Sequence, residues 1–82
     1  MGPDRLPYDL SAREMTVLRF LAAGKADREI SQELSLSTFT INKHVRAILA
    51  KMDASSRTSA AVRAIREGLL DAQYLLVVPV VV

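Results

Sequence analysis

The sequence predicts an all-α domain of four helices, and three observations carry that expectation. Apolar residues recur at three- and four-residue intervals through four successive segments, the spacing that lines one face of a helix. Serines stand where caps belong ahead of three of those segments. The composition is half apolar yet holds only two Tyr and two Phe, which suits a small helical domain better than a β-sandwich. Eighty-two residues make one domain, with a core modest enough that dimerisation would help its stability. Cysteine is absent, which excludes disulfides and thiolate metal sites.

Residues 1–9 carry Pro3 and Pro7 without periodicity and are expected to be an extended lead-in. Helix one is expected over about 12–23. Ser11 and Glu14 have the spacing of a capping box, Leu10 and Met15 that of a hydrophobic staple, and Gly24 stands where the helix should stop. Asp27 is expected to cap a short second helix whose Ile30 and Leu34 face inward. Ser35, Leu36 and Ser37 break the pattern, and Ser37 caps helix three, about 38–52. Two helices joined by so short a turn have the helix-turn-helix spacing. After Asp53–Ser56, Ser56 caps helix four, about 57–67, with Gly68 as its stop. Ala61, Ile65 and Leu69, with Val62 at the edge, are expected to pack helix four on the core. Ala60, Arg63 and Ala64 are expected on its outer face.

The charge is uneven along the chain. Residues 1–36 hold five basic side chains against six acidic ones, whereas residues 37–66 hold six basic ones against Asp53 alone. Such asymmetry fits a domain that meets a polyanion with one side, although a solvated basic face would look the same. Helix three is the informative segment. Ile41, Val45, Ile48, Leu49 and Met52 form one apolar stripe. The opposite face presents Phe39, Lys43, Arg46, Ala47 and Ala50, with Asn42 on one shoulder and Thr40 and Lys51 on the other. Arg and Lys can donate to guanine, Asn can pair with adenine, and alanines admit close approach to a DNA groove.

Residues 10–70 resemble the DNA-binding domain of the LuxR-type transcriptional regulators, shared by quorum-sensing receptors and many response regulators. The matching residues begin with Leu10-Ser11-x-Arg13-Glu14 and Leu18-x-x-Leu21-Ala22-x-Gly24. They continue through Glu29-Ile30-Ser31-x-x-Leu34 and Leu36-Ser37-x-x-Thr40-Ile41-x-x-His44, and end in Ile48-Leu49-x-Lys51-Met52 and Ser56-Arg57-Thr58-x-Ala60. The resemblance implies sequence-specific binding of double-stranded DNA with helix three in the major groove and helix four in a dimer contact. By position it implies Asn42, Lys43 and Arg46 as base readers, and Arg28, Ser37, Thr40 and Lys51 as phosphate contacts. Ala60, Arg63 and Ala64 would form the dimer contact. Four positions depart from the family's habit. Asn42 stands where Lys or Arg is frequent, Phe39 where a small residue is usual, Asp53 where Gly or Asn is common, and Ser31 where alanine is habitual. Relatives carry an additional receiver or ligand-binding domain, so an excised effector domain or a stand-alone regulator is expected.

Other functions have less support. The single His44 has no nucleophile or acidic pair arranged around it, and one His does not make a metal site; no enzyme activity and no cofactor are expected. Alternatives are a helix-turn-helix used for protein contacts, as adaptor or inhibitor, or a promoter-reading domain like that of sigma factors. RNA polymerase is a further candidate partner. No run approaches the ~20 apolar residues that span a bilayer, and no signal-peptide pattern opens the chain, so a cytoplasmic location is expected. Residues 71–82 form an apolar tail, Leu75 to Val82 being uncharged and mostly β-branched. It is expected to contribute nothing to DNA recognition and to contact neighbouring chains if ordered.

Overall fold

The computed structural model describes residues 6–70, so the expectations for the 71–82 tail lie outside the described residues. Four helices follow one another: α1 (Ala12–Ala22), α2 (Asp27–Leu34), α3 (Thr38–Met52) and α4 (Arg57–Arg66). No strand occurs among the described residues, and α1, α3 and α4 each lie within one residue of their expected bounds, which is the margin at which helix ends are defined at all.

Local chemistry explains the starts. Ser11 Oγ accepts from Glu14 N at 3.0 Å while Glu14 Oε1 accepts from Ser11 N at 2.9 Å, closing the capping box. Leu10 and Met15 on either side of it are both buried in the core. Ser37 and Ser56 accept from Thr40 N and Ser59 N in the same way. The second helix differs from expectation. Its cap position is Ala26, and Asp27 is already helical. Glu29 Oε1 accepts from Ala26 N at 2.8 Å and so does the capping from inside the helix, which leaves the Asp27 carboxylate for a partner on α4.

The ends share one geometry. Gly24, Ser35, Asp53 and Gly68 all have positive φ, and in each case the following N–H reaches back to a carbonyl in the last helical turn. The four bonds run from Lys25 to Phe20, Leu36 to Ser31, Ala54 to Leu49 and Leu69 to Ala64. Asp53 therefore adopts the left-handed conformation that suits the Gly or Asn common at its position and that Asp tolerates. Ser35 does the same without a sequence signal strong enough to announce it.

The lead-in is also less extended than expected. Pro7–Asp9 form a single 3-10 turn, closed by Asp9 N to Leu6 O at 3.1 Å and Leu10 N to Pro7 O at 3.0 Å. It is held because Leu6 and Tyr8 pack on the core and Tyr8 OH donates to Glu67 Oε1 at 2.6 Å.

The core lies where α1 crosses α3 and α4, with α2 packed on α3. Val17, Leu18, Ile30, Ile41 and Ile48 are fully buried. The α3 stripe faces inward as expected, Leu49 being half-buried at its edge. Helix α4 matches expectation only in part: Ala61 is buried and Leu69 packs against the core as expected, but Ile65 and the pair Ala60 and Ala64 have exchanged places. Ala60 and Ala64 are fully buried and Ala61 nearly so, whereas Ile65 is 44% and Val62 39% exposed. The buried face of α4 is made of small side chains. A close-packed contact filled by methyl groups has no room for large apolar side chains, which must leave by the other face.

Candidate nucleic-acid interface

Helix α3 is fixed from both ends, which leaves one of its faces outward. At its start Ser37 Oγ, besides capping, donates to Thr40 Oγ1 at 3.0 Å. At its end Lys51 Nζ donates to Glu14 Oε1 at 2.8 Å and to the Asp9 carbonyl at 3.1 Å, tying α3 to the start of α1. The Arg63 guanidinium donates to the Met52 carbonyl and so caps the last turn of α3 from α4. Arg57 forms a two-pronged pair with Asp27, Nη2 lying 2.9 Å from Oδ2, and joins the starts of α4 and α2.

These bonds sort the cations of residues 37–66. Lys51, Arg57 and Arg63 serve acceptors inside the domain. Lys43 and Arg46 are exposed on α3, and neither meets a carboxylate or carbonyl among the described residues. The Lys43 ammonium instead lies 5.6 Å from the centre of the Phe39 ring. Asn42 is half-buried on the shoulder of this face, and Arg28 is exposed on α2.

The anchoring pairs carry their own electrostatic record. The Arg57 hydrogen bond outweighs burial and holds the Asp27 carboxyl below its ordinary range, while the same bond raises Arg57. Burial alone would push the Glu14 carboxyl up, but hydrogen bonds from Lys51 and from Ser11 N–H win and bring it below its ordinary value.

Two expected assignments change accordingly. Lys51 is occupied by Glu14 and the Asp9 carbonyl, a cation of the scaffold before it is one for phosphate. Ala60 and Ala64 are sealed inside the domain and Arg63 is turned to Met52, so this trio does not form an outward surface. What α4 shows to solvent is Thr58, Val62, Ile65 and Arg66. The structural role of Arg57 went unread, although an Asp at the start of α2 was the available signal for it.

The family pattern for bacterial regulatory proteins of the luxR family matches residues 9–64, more than half of the chain, and takes in α1, α2, α3 and α4 up to Ala64. The chain belongs to that family. Among similar proteins is the transcriptional regulatory protein LiaR of Bacillus subtilis (strain 168), 41% identical over 71 residues, which are 85% of this chain and 34% of LiaR. The transcriptional activator protein SolR of Ralstonia nicotianae is 43% identical over 61 residues, 74% of this chain and 26% of SolR. The quorum sensing-dependent regulator VjbR of Brucella ovis is 37% identical over 62 residues, 76% of this chain and 24% of VjbR. This luxR-family chain thus spans between about a quarter and a third of the length of such relatives. No helix among its described residues is long and apolar enough to cross a membrane.

Proposed function

We propose that the chain reads double-stranded DNA by laying α3 in the major groove, with Asn42, Lys43 and Arg46 at base edges. The observation that carries this reading is the sorting of cations. Half of the basic side chains in residues 37–66 are bound to acceptors of the domain, yet Lys43 and Arg46 stand exposed one turn apart on α3, without a carboxylate or carbonyl partner among the described residues. Arg28 on α2, and Ser37 and Thr40 at the start of α3, approach the phosphates that flank the groove. The start of a helix favours anions there, and such contacts set position while base contacts set sequence. The regulatory role is that of an effector domain in a two-fold dimer reading two half-sites. Its dimer contact is the exposed apolar side of α4, Val62 and Ile65, supported by their 39% and 44% exposure beside otherwise small or polar neighbours.

Selection of bound sequences from a random duplex pool, followed by affinity measurement at two salt concentrations, tests the reading. One recurring motif, bound with an affinity that falls steeply as salt rises, is the expected result. Enrichment of no motif, or affinity indifferent to salt, would speak for a helix-turn-helix that docks on protein instead.

A further inference from the structure

We infer that Phe39 is a specificity-determining residue that contacts the C5 methyl group of a thymine in the major groove; this rests on the groove-reading proposed above. Phe39 is 72% exposed, the most exposed of the large apolar side chains described. It lies in the first turn of α3, on the face that continues through Lys43 and Arg46 at the fourth and seventh positions after it. The helical Cβ tilts toward the N-terminus, so the ring projects at the leading end of the helix. Leading residues of a reading helix are those that meet base edges.

A phenyl ring there can neither donate nor accept an ordinary hydrogen bond. The apolar feature that the major groove offers it is the thymine methyl, which cytosine, adenine and guanine lack. The Lys43 ammonium, 5.6 Å from the ring centre, makes the pair a composite reader. The ring face holds the cation near the helix start, where it can serve a neighbouring acceptor, while the rest of the ring remains open to the methyl. Burial of the ring inside the domain does not account for a phenylalanine at this place, because most of its surface faces solvent.

The test takes the duplex selected from the random pool and replaces each thymine in turn by deoxyuridine, which removes the methyl and leaves the base pairing unchanged. The expected result is one thymine in each half-site whose replacement weakens binding by about four-fold, what burial of one methyl group supplies. In Phe39→Ala and Phe39→Ser the two duplexes should bind alike. Phe39→Leu, still apolar, should keep part of the difference. Exposure of the ring means that all three variants should fold, which circular dichroism checks. A selected site without such a thymine overturns the inference, and so does a Phe39→Ala protein that keeps the four-fold difference. Failure of the wild-type chain to prefer any duplex overturns the groove reading itself, and this inference with it.

Discussion

Helices α3 and α4 carry similar sequence patterns and are used in opposite ways. In α3 the large apolar residues Ile41, Val45, Ile48 and Met52 go inside, and the cations Lys43 and Arg46 stay out. In α4 alanines go inside, Val62 and Ile65 stay out, and Arg57 and Arg63 turn to acceptors on α2 and α3. The difference is one of side-chain volume at the contact. Where branched side chains fill the contact, hydrophobicity decides the face. Where methyl groups fill it, side-chain volume decides it, and cations at the border of the contact become struts.

The sharpest way to break this comparison is to place a charge on each face of α4. Ala64→Glu puts an unpaired carboxylate at a fully buried position and should cost about 3–5 kcal/mol, enough to unfold most of a domain this small. Ile65→Glu, one residue along, should change monomer stability by under ~0.5 kcal/mol while weakening cooperative binding to a palindrome. Urea unfolding of the two variants at dilute concentration decides it. Equal losses would mean that α4 is not turned as described.

The same contrast explains what could be read from the sequence. Caps at Ser11, Ser37 and Ser56 were legible because each needs only residues within three positions of itself. The α3 stripe was legible because its buried residues are also its largest. The face of α4 was legible only at Ala61 and Leu69, since ranking by hydrophobicity placed Ile65 inside and Ala60 outside, and the packing that reverses this is a tertiary fact. The acceptors of Lys51, Arg57 and Arg63 lie on other elements, so a cation count could not separate struts from readers. The 3-10 turn at Pro7–Asp9 depends on contacts with the core and with Glu67, for the same reason.

If Lys51 is a strut, Lys51→Ala should lower stability by roughly 1 kcal/mol, a charged hydrogen bond discounted for the solvent that reaches it. The pH dependence has a definite sign. Glu14 and Asp27 titrate below their ordinary values of 4.5 and 3.8 in the folded chain. Their contribution is therefore present above those values and is lost as pH falls through the lower folded ones. Acid unfolding curves should show this loss in the wild type and a smaller one in Lys51→Ala and Arg57→Ala. Identical acid limbs in all three proteins would contradict the assignment of these pairs.

A smaller effect sharpens the comparison at the end of α3. Asp53 holds a left-handed conformation at φ 52°, which glycine adopts without steric cost. Asp53→Gly should gain up to about 1 kcal/mol, visible as a Tm higher by a few degrees, with DNA affinity unchanged. A lower Tm would mean that the Asp53 side chain contributes something the fold description lacks.

The separation of readers from struts is tested most directly by competition binding of four proteins to the selected duplex and to a scrambled one. Lys43→Ala and Arg46→Ala should each lose roughly 1–3 kcal/mol on the selected duplex and relax the preference at one base pair. Both should keep the wild-type Tm. Lys51→Ala and Arg63→Ala should melt lower and, once folded, retain the ratio of selected to scrambled affinity. The reverse pattern, with selectivity lost at Lys51 or Arg63 and kept at Lys43 and Arg46, would contradict the assignment of the outward face of α3 as the surface that reads DNA.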